Sequence, residues 1–460
     1  MTDLFCPTAL LPQGWADNVL LRIGADGALD EVLPGAACPI DARVLGGPVI
    51  PGMANLHSHA FQRAMAGLAE RAGAVGGMDS FWNWRETMYG FLRRLSPDTV
   101  EAVATLLFME MLSEGYTAVA EFHYLHLDPE GRPYPERAEI AHRIQTAAAN
   151  AGIGLILLPA LYAHGGFGGA PPTAGQTRFL NSVDHLFAIF ETTRATARAL
   201  PGQRVGLALH SLRAVTEGEM NAALAALDAV DDAAPIHIHV AEQTAEIEAS
   251  LAWSGQRPVA WLLDHAPVDA RWCLIHATHI DAGEIAGIAR SGAVAGLCPS
   301  TEANLGDGIF PAEAFLSAGG RFGIGTDSHV TLNPFDELRL MEYAQRLSTR
   351  RRGVLGAAGD GCGADLFRRA TAGGAQALGI QAGALAAGYR ADFVVLDADD
   401  PKLAGRTGDG ILDAMVFATP NRAVRDVFVG GRQVVENGRH PRRDAIAAAY
   451  RQALATLDAG

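Results

Sequence analysis

The spacing of hydrophobic positions changes twice along the chain. Up to about residue 50, short apolar runs broken by glycine and proline (18–23, 28–33 and 42–50) predict small strands. Beyond that point eight short β-prone segments (48–55, 117–122, 154–161, 205–209, 235–240, 272–276, 293–298 and 321–326) alternate with stretches of helical period such as 98–114, 217–228, 281–290 and 334–347. Eight such units in series predict an α/β fold, a TIM (β/α)8 barrel with long loops. After about residue 384 strand signals return at 391–396, 414–417 and 424–435, the last turning at Gly430-Gly431, and a final helix is expected over 443–455. The two ends of the chain look alike. A small β-sandwich-like domain built from residues 1–49 and 385–460 is therefore expected beside a barrel of residues 50–384. The glycine-rich pieces at 73–77 and 165–169 read as mobile loops, and the sequence leaves open which of 71–79 and 164–176, if either, covers the barrel mouth.

Composition narrows the partners. Of 460 residues 49% are hydrophobic and 19% charged, which argues against a disordered chain, and no run approaches the roughly 18 apolar residues that cross a bilayer. The opening residues lack a basic stretch followed by an apolar block, so no membrane association and a cytoplasmic location are expected. The net charge is −15 and Arg350 to Arg352 form the longest basic run, so no nucleic-acid partner is expected and an anionic ligand must be met by local charges. Five scattered cysteines, never spaced C-x-x-C, read as reduced thiols.

Several predicted strands end on residues that bind metals or move protons: His57 and His59 on the first, His237 and His239 with Glu242 after the fifth, His276 on the sixth, Asp327 on the eighth. Strand ends converge at one barrel mouth, and the two-residue repeat of a strand puts His57 and His59 on one face. The expected ligand set is His57, His59, His239 and Asp327, which suits Zn²⁺ or a similar divalent ion. His239 is preferred to His237 because Glu242 then lies three residues on, where the chain leaves the strand. The sole lysine, Lys402, falls outside the barrel, so a lysine-bridged second metal is excluded and one ion per chain is expected. Water on such an ion ionises near neutral pH. Asp327 can take its proton, Glu242 can donate to a substrate nitrogen, and His276 can hydrogen-bond the attacking oxygen.

With these residues in place, the chain resembles the amidohydrolase superfamily, in its mononuclear deaminase branch. More narrowly, PGMANLHSHAFQRAMAGLAE (51–70), WNWRETMY (82–89), EFHYLH (121–126), HSLRAV (210–215), IHIHVAEQ (236–243), LIHATH (274–279), CPSTEANLGDGIFP (298–311) and GTDSHV (325–330) resemble the formimidoylglutamate deiminase family. That resemblance implies hydrolysis of N-formimidoyl-L-glutamate to N-formyl-L-glutamate and ammonia in histidine degradation. It places the same metal ligands and catalytic groups as above, and substrate contacts on Gln62, Arg85, Tyr124, His210 and Arg213. A small-molecule dicarboxylate wants arginine forks and neutral donors, which these residues offer. Relatives of this kind imply a homodimer. A heterocycle such as guanine or a cytosine analogue is the alternative substrate, and a non-enzymatic barrel module the alternative class.

Overall fold

The computed structural model describes residues 2–68, 70, 81–357, 359, 361–418 and 423–458, without the side chains of 81–83, 85–87 and 458. Segment 71–79, including the glycine-rich 73–77, lies outside the described residues.

Eight parallel strands form the barrel: Met53–Ser58, Tyr116–His123, Gly154–Leu161, Leu207–Ser211, Ile236–Val240, Trp272–His276, Val294–Leu297 and Arg321–Ile324. A short strand, Gln203–Val205, pairs beside the third. The barrel strands are buried along almost their whole length, as expected when helices cover the outside and side chains fill the inside. Closure is made by backbone bonds between the first and last strands, Asp327 N–H to the His57 carbonyl at 3.0 Å and His59 N–H to the Asp327 carbonyl at 3.3 Å. The contact that completes the ring thus joins three candidate ligands.

Local chemistry starts and stops the helices. Ser96 caps helix Pro97–Glu114 by accepting the Thr99 N–H, Pro97 occupies its first turn, and Gly115 ends it at φ +102°. Reciprocal capping boxes, Thr216 with Glu219 and Asp281 with Glu284, open the helices Glu217–Val230 and Ala282–Ser291. Helix Cys362–Ala377 crosses the eighth strand at Gly373, where a Cβ would stand 1.9 Å from the Phe322 carbonyl oxygen. Only glycine permits that approach.

Both chain ends build one mixed sheet beside the barrel, in the order Arg432–Val435, Val424–Val429, Phe393–Leu396, Val49–Pro51, Thr2–Leu11, Gly14–Ile23, Leu29–Leu33, with Arg43–Val44 alongside Thr2–Leu11. Leu10, Ile50, Val394, Leu396 and Val427 join the barrel core, while Leu4, Leu21, Val49, Phe393 and Phe428 form a second cluster. Gly430 and Gly431 turn the last hairpin with φ of +53° and +73°.

Three sequence expectations are corrected. Segment 414–417 is not a strand but the end of helix Asp409–Phe417, in which Ile411, Leu412, Ala414, Met415 and Val416 are buried. A short apolar run has no period long enough to tell strand from helix. The β-prone segment 48–55 splits, Val49–Pro51 going to the small sheet and Met53–Ser58 to the barrel. Strand Thr2–Leu11 was not anticipated because Pro7 interrupts its pattern. The pairing passes over Pro7, between Cys6 with Val19 and Thr8 with Asp17, and Asn18 there takes φ +54°. Among the described residues no helix is long and apolar enough to cross a membrane.

Candidate active site

The rim of the barrel is where the backbone leaves ordinary conformations. Ala241, His276, Ala277, Asp327 and His329 all have positive φ, between +46° and +67°. Non-glycine residues adopt such angles only when their surroundings hold them, and here the turns carry the strand-end side chains inward.

His57, His59, His239 and Asp327 meet in one cluster. His239 Nε2 lies 3.1 Å from His57 Nε2 and 3.3 Å from His59 Nε2. Asp327 Oδ1 lies 3.4 Å from His57 Nε2 and 3.5 Å from His59 Nε2. His59 Nδ1–H donates to the Phe122 carbonyl at 3.0 Å and His239 Nδ1–H to the His210 carbonyl at 2.8 Å. A carbonyl can only accept, so these bonds put the proton on Nδ1 and leave a lone pair on Nε2. His57 Nδ1 has no hydrogen-bond partner among the described residues, and its ring packs edge-on against Phe122 at 5.3 Å. Burial, reinforced for His57 and His239 by neighbouring imidazoles, pushes the basicity of all three histidines down and keeps them neutral.

The lone pairs of His59 and His239, the Nε2 of His57 and a carboxylate oxygen converge on a common space, an arrangement that a cation among them stabilises. A tetrahedral ion with bonds of about 2.0–2.1 Å separates its ligands by about 3.3–3.4 Å. The donor spacings of 3.1–3.5 Å match that figure. The donor set therefore fits a divalent metal.

Two further groups face the cluster. His276 Nε2 stands 3.7 Å from Glu242 Oε1 and 3.8 Å from Asp327 Oδ2. Burial opposes a charge on His276, but Glu242, Glu302 and Asp327 outweigh it and raise its pKa to about 10. Burial is also the main cause that raises Glu242, against the pull of His276 and Arg213, so this carboxyl holds its proton more firmly than an exposed glutamate. Arg213 Nη2 lies 3.9 Å from Glu242 Oε2. Burial works against the guanidinium, and Glu246 and Glu242 overcome it, raising its pKa.

Gln62, Tyr124, His210 and Arg213 line the cavity above this cluster. Gln62 Nε2 donates to Tyr124 Oη at 3.1 Å, and Tyr124 stands edge-on to His59. Arg85 lies in helix Phe81–Leu92, and its side chain is outside the described residues. His237 turns away, its Nε2–H on the Ala377 carbonyl at 2.8 Å. His126 bonds the Ala160 carbonyl and His279 the Asp307 carbonyl, both away from the cluster. Segment 164–176 reaches the mouth through Gly165 and Gln176, whose Nε2 donates to Tyr162 Oη at 2.7 Å.

Sequence reasoning missed Trp84, Tyr162, Gln176 and Phe179 in the lining, and Glu121, Glu302 and His329 behind it. Ser58, between His57 and His59, donates to Glu121 Oε2 at 2.5 Å and meets His329 Nε2 at 3.3 Å. The central serine of H-S-H and the histidine of GTDSH were the available signals.

Convergent imidazoles and a carboxylate at the C-terminal mouth of a TIM barrel form a donor set that could hold a metal ion, in the place where barrel hydrolases carry their active sites. The chain belongs to the amidohydrolase family, whose model matches residues 49–434, and residues 1–43 match the N-terminal domain of the formimidoylglutamate deiminase HutF. It is 54% identical to the formimidoylglutamate deiminase of Pseudomonas aeruginosa over 99% of this chain and 100% of that one. An amidohydrolase from Brucella melitensis superposes with a TM-score of 0.94 at 48% identity, covering 99% of this chain and 100% of the other. An adenosine deaminase from Xanthomonas campestris with bound zinc shares the fold, with a TM-score of 0.81 at 22% identity over 100% and 99% of the two chains.

Proposed function

We propose that this chain is a formimidoylglutamate deiminase, hydrolysing N-formimidoyl-L-glutamate to N-formyl-L-glutamate and ammonia in histidine degradation. Similarity from end to end, at 54% identity, with the Pseudomonas aeruginosa enzyme supports the reaction. Arg213 carries the substrate class: in a cavity lined largely by aromatic and neutral groups it is the arginine placed beside the catalytic acid, as a substrate carboxylate requires.

A divalent ion held by His57, His59, His239 and Asp327 would supply a water acidic enough to act as a nucleophile at neutral pH. Zinc, one per chain, is the proposed ion, since three neutral imidazoles and a carboxylate at these spacings suit it and no lysine lies in the barrel to bridge a second. Asp327 uses Oδ2, the oxygen facing His276, to take the proton of the attacking water. His276 hydrogen-bonds the oxygen as it adds to the formimidoyl carbon. Glu242 gives its proton to the terminal nitrogen as the oxygen adds, Asp327 passes the water's proton on to the resulting amino group, and as the C–N bond breaks the remaining hydroxyl proton returns to Glu242, so that ammonia and the formyl product leave with both acids restored. Arg213 and Arg85, which lies in helix Phe81–Leu92, bind the glutamate carboxylates, with Gln62, Tyr124 and His210 as neutral donors. A cytoplasmic homodimer completes the proposal, in keeping with five free thiols.

The test is ammonia release from N-formimidoyl-L-glutamate, guanine and cytosine by zinc-loaded protein. Release from the first alone is expected, and release from a heterocycle alone would overturn the reading.

A further inference from the structure

The segment CPSTEANLGDGIFP (298–311) supplies none of the groups assigned above, yet it runs behind His276. Helix Pro299–Leu305 follows the seventh barrel strand and turns Glu302 inward, where its side chain is buried. Glu302 Oε1 lies 3.2 Å from His276 Nδ1 and accepts the Cys298 N–H at 2.9 Å. The opposite ring nitrogen, Nε2, faces the gap between Glu242 and Asp327.

An imidazole can rotate half a turn about its bond to Cβ, exchanging nitrogen for carbon at each position, unless one nitrogen is held. His276 sits on a left-handed stretch, φ +67° with Ala277 at +47°, so the backbone alone leaves its ring at a strained bend. The carboxylate is anchored in turn. The Glu302 N–H bonds the Cys298 carbonyl and the Asp307 N–H bonds the Glu302 carbonyl, both at 2.9 Å, while Gln243, next to Glu242, donates to Asp307 Oδ1.

We propose that Glu302 is a positioning residue, which accepts a hydrogen bond from His276 Nδ1–H and thereby keeps Nε2 aimed at the reacting water between Glu242 and Asp327. Its kinetic consequence rests on the deiminase reading, and its geometric consequence does not.

The test uses zinc-loaded, full-length protein. Glu302→Leu is expected to lower kcat by about 10- to 100-fold with KM changed by less than about twofold, at unchanged zinc content. Glu302→Gln, which keeps an acceptor oxygen for both N–H groups, is expected to recover much of that loss. In a His276→Asn background neither substitution should lower kcat further, because a residue acting through His276 has nothing left to act through. Side-chain nitrogen NMR should show the His276 Nδ1–H signal moved in Glu302→Leu. Glu302→Ala, which also removes the acceptor, runs the same cycle if Glu302→Leu does not fold. An unchanged kcat, a loss that persists without His276, or an unmoved Nδ1–H signal would each overturn the proposal. If the unmodified enzyme releases no ammonia from N-formimidoyl-L-glutamate while the signal still moves, the deiminase reading falls and the role of Glu302 stands.

Discussion

His57 and His239 come from strands 182 residues apart in sequence, yet their Nε2 atoms lie 3.1 Å apart, each in a buried, neutral ring. The His210 carbonyl accepts the His239 Nδ1–H, so His239 turns a lone pair toward His57, and with the His57 proton also on Nδ1 the two nitrogens would approach acceptor to acceptor, an arrangement that a cation stabilises. Chelation should therefore lower the melting temperature, and zinc should restore it. At free zinc about 1,000 times its Kd the ion contributes about 4 kcal/mol. Calorimetry with and without chelator checks this, and a melting temperature indifferent to metal would contradict the proposed ligand set.

Glu242 meets His276 at 3.7 Å and Arg213 at 3.9 Å and is not one of the four clustered donors. Glu242→Gln removes the transferable proton and leaves His57, His59, His239 and Asp327 in place. We expect kcat to fall by about 10²- to 10⁴-fold while metal analysis still finds about one zinc per chain. Loss of zinc in this variant would make Glu242 a ligand and not the acid.

Much of this site could be read in the sequence because strand periodicity acts locally. His57 and His59 share a face by their spacing, and Glu242 follows His239 by three residues, so one strand assignment fixed each relationship. Glu302 could not be read that way. It is 26 residues from His276, and only the parallel pairing of Trp272–His276 with Val294–Leu297, together with the short helix after it, brings the two together. The same holds for Glu121 behind Ser58, 63 residues away. In the fold, the barrel was legible from eight repeats of one pattern. Strand Thr2–Leu11 and helix Asp409–Phe417 were not, because a proline hid the first and a short apolar run is ambiguous for the second.

Arg213 has a buried Nε without a hydrogen-bond partner among the described residues, and its Nη2 is only within 3.9 Å of Glu242. A substrate carboxylate would complete its bonding. Arg213→Met should raise KM for N-formimidoyl-L-glutamate by about 10- to 100-fold, the equivalent of a charge-assisted hydrogen bond worth roughly 1.5–3 kcal/mol. An analogue with that carboxylate amidated should lose far less. Steady-state kinetics on both compounds decides, and equal losses would remove Arg213 from substrate binding.

Glu337 gives the protein a pH dependence separate from catalysis. It is fully buried and accepts from Ser300 N–H at 2.8 Å, Ser300 Oγ at 2.5 Å and Thr331 Oγ1 at 3.0 Å. Burial outweighs those bonds and raises its pKa from 4.5 to about 7. A carboxyl whose folded pKa exceeds its unfolded one contributes stability that is complete below the unfolded value and is lost as pH rises through the folded value. Between pH 4.5 and 7 this group alone should remove about 3 kcal/mol. Glu337→Gln lacks that titration, although it weakens the three hydrogen bonds at every pH. The melting-temperature advantage of the unmodified chain over Glu337→Gln should therefore shrink steadily from pH 5 to pH 8. Thermal melts across that range test it, and an advantage that grows with pH would mean that Glu337 is held ionised by its three donors.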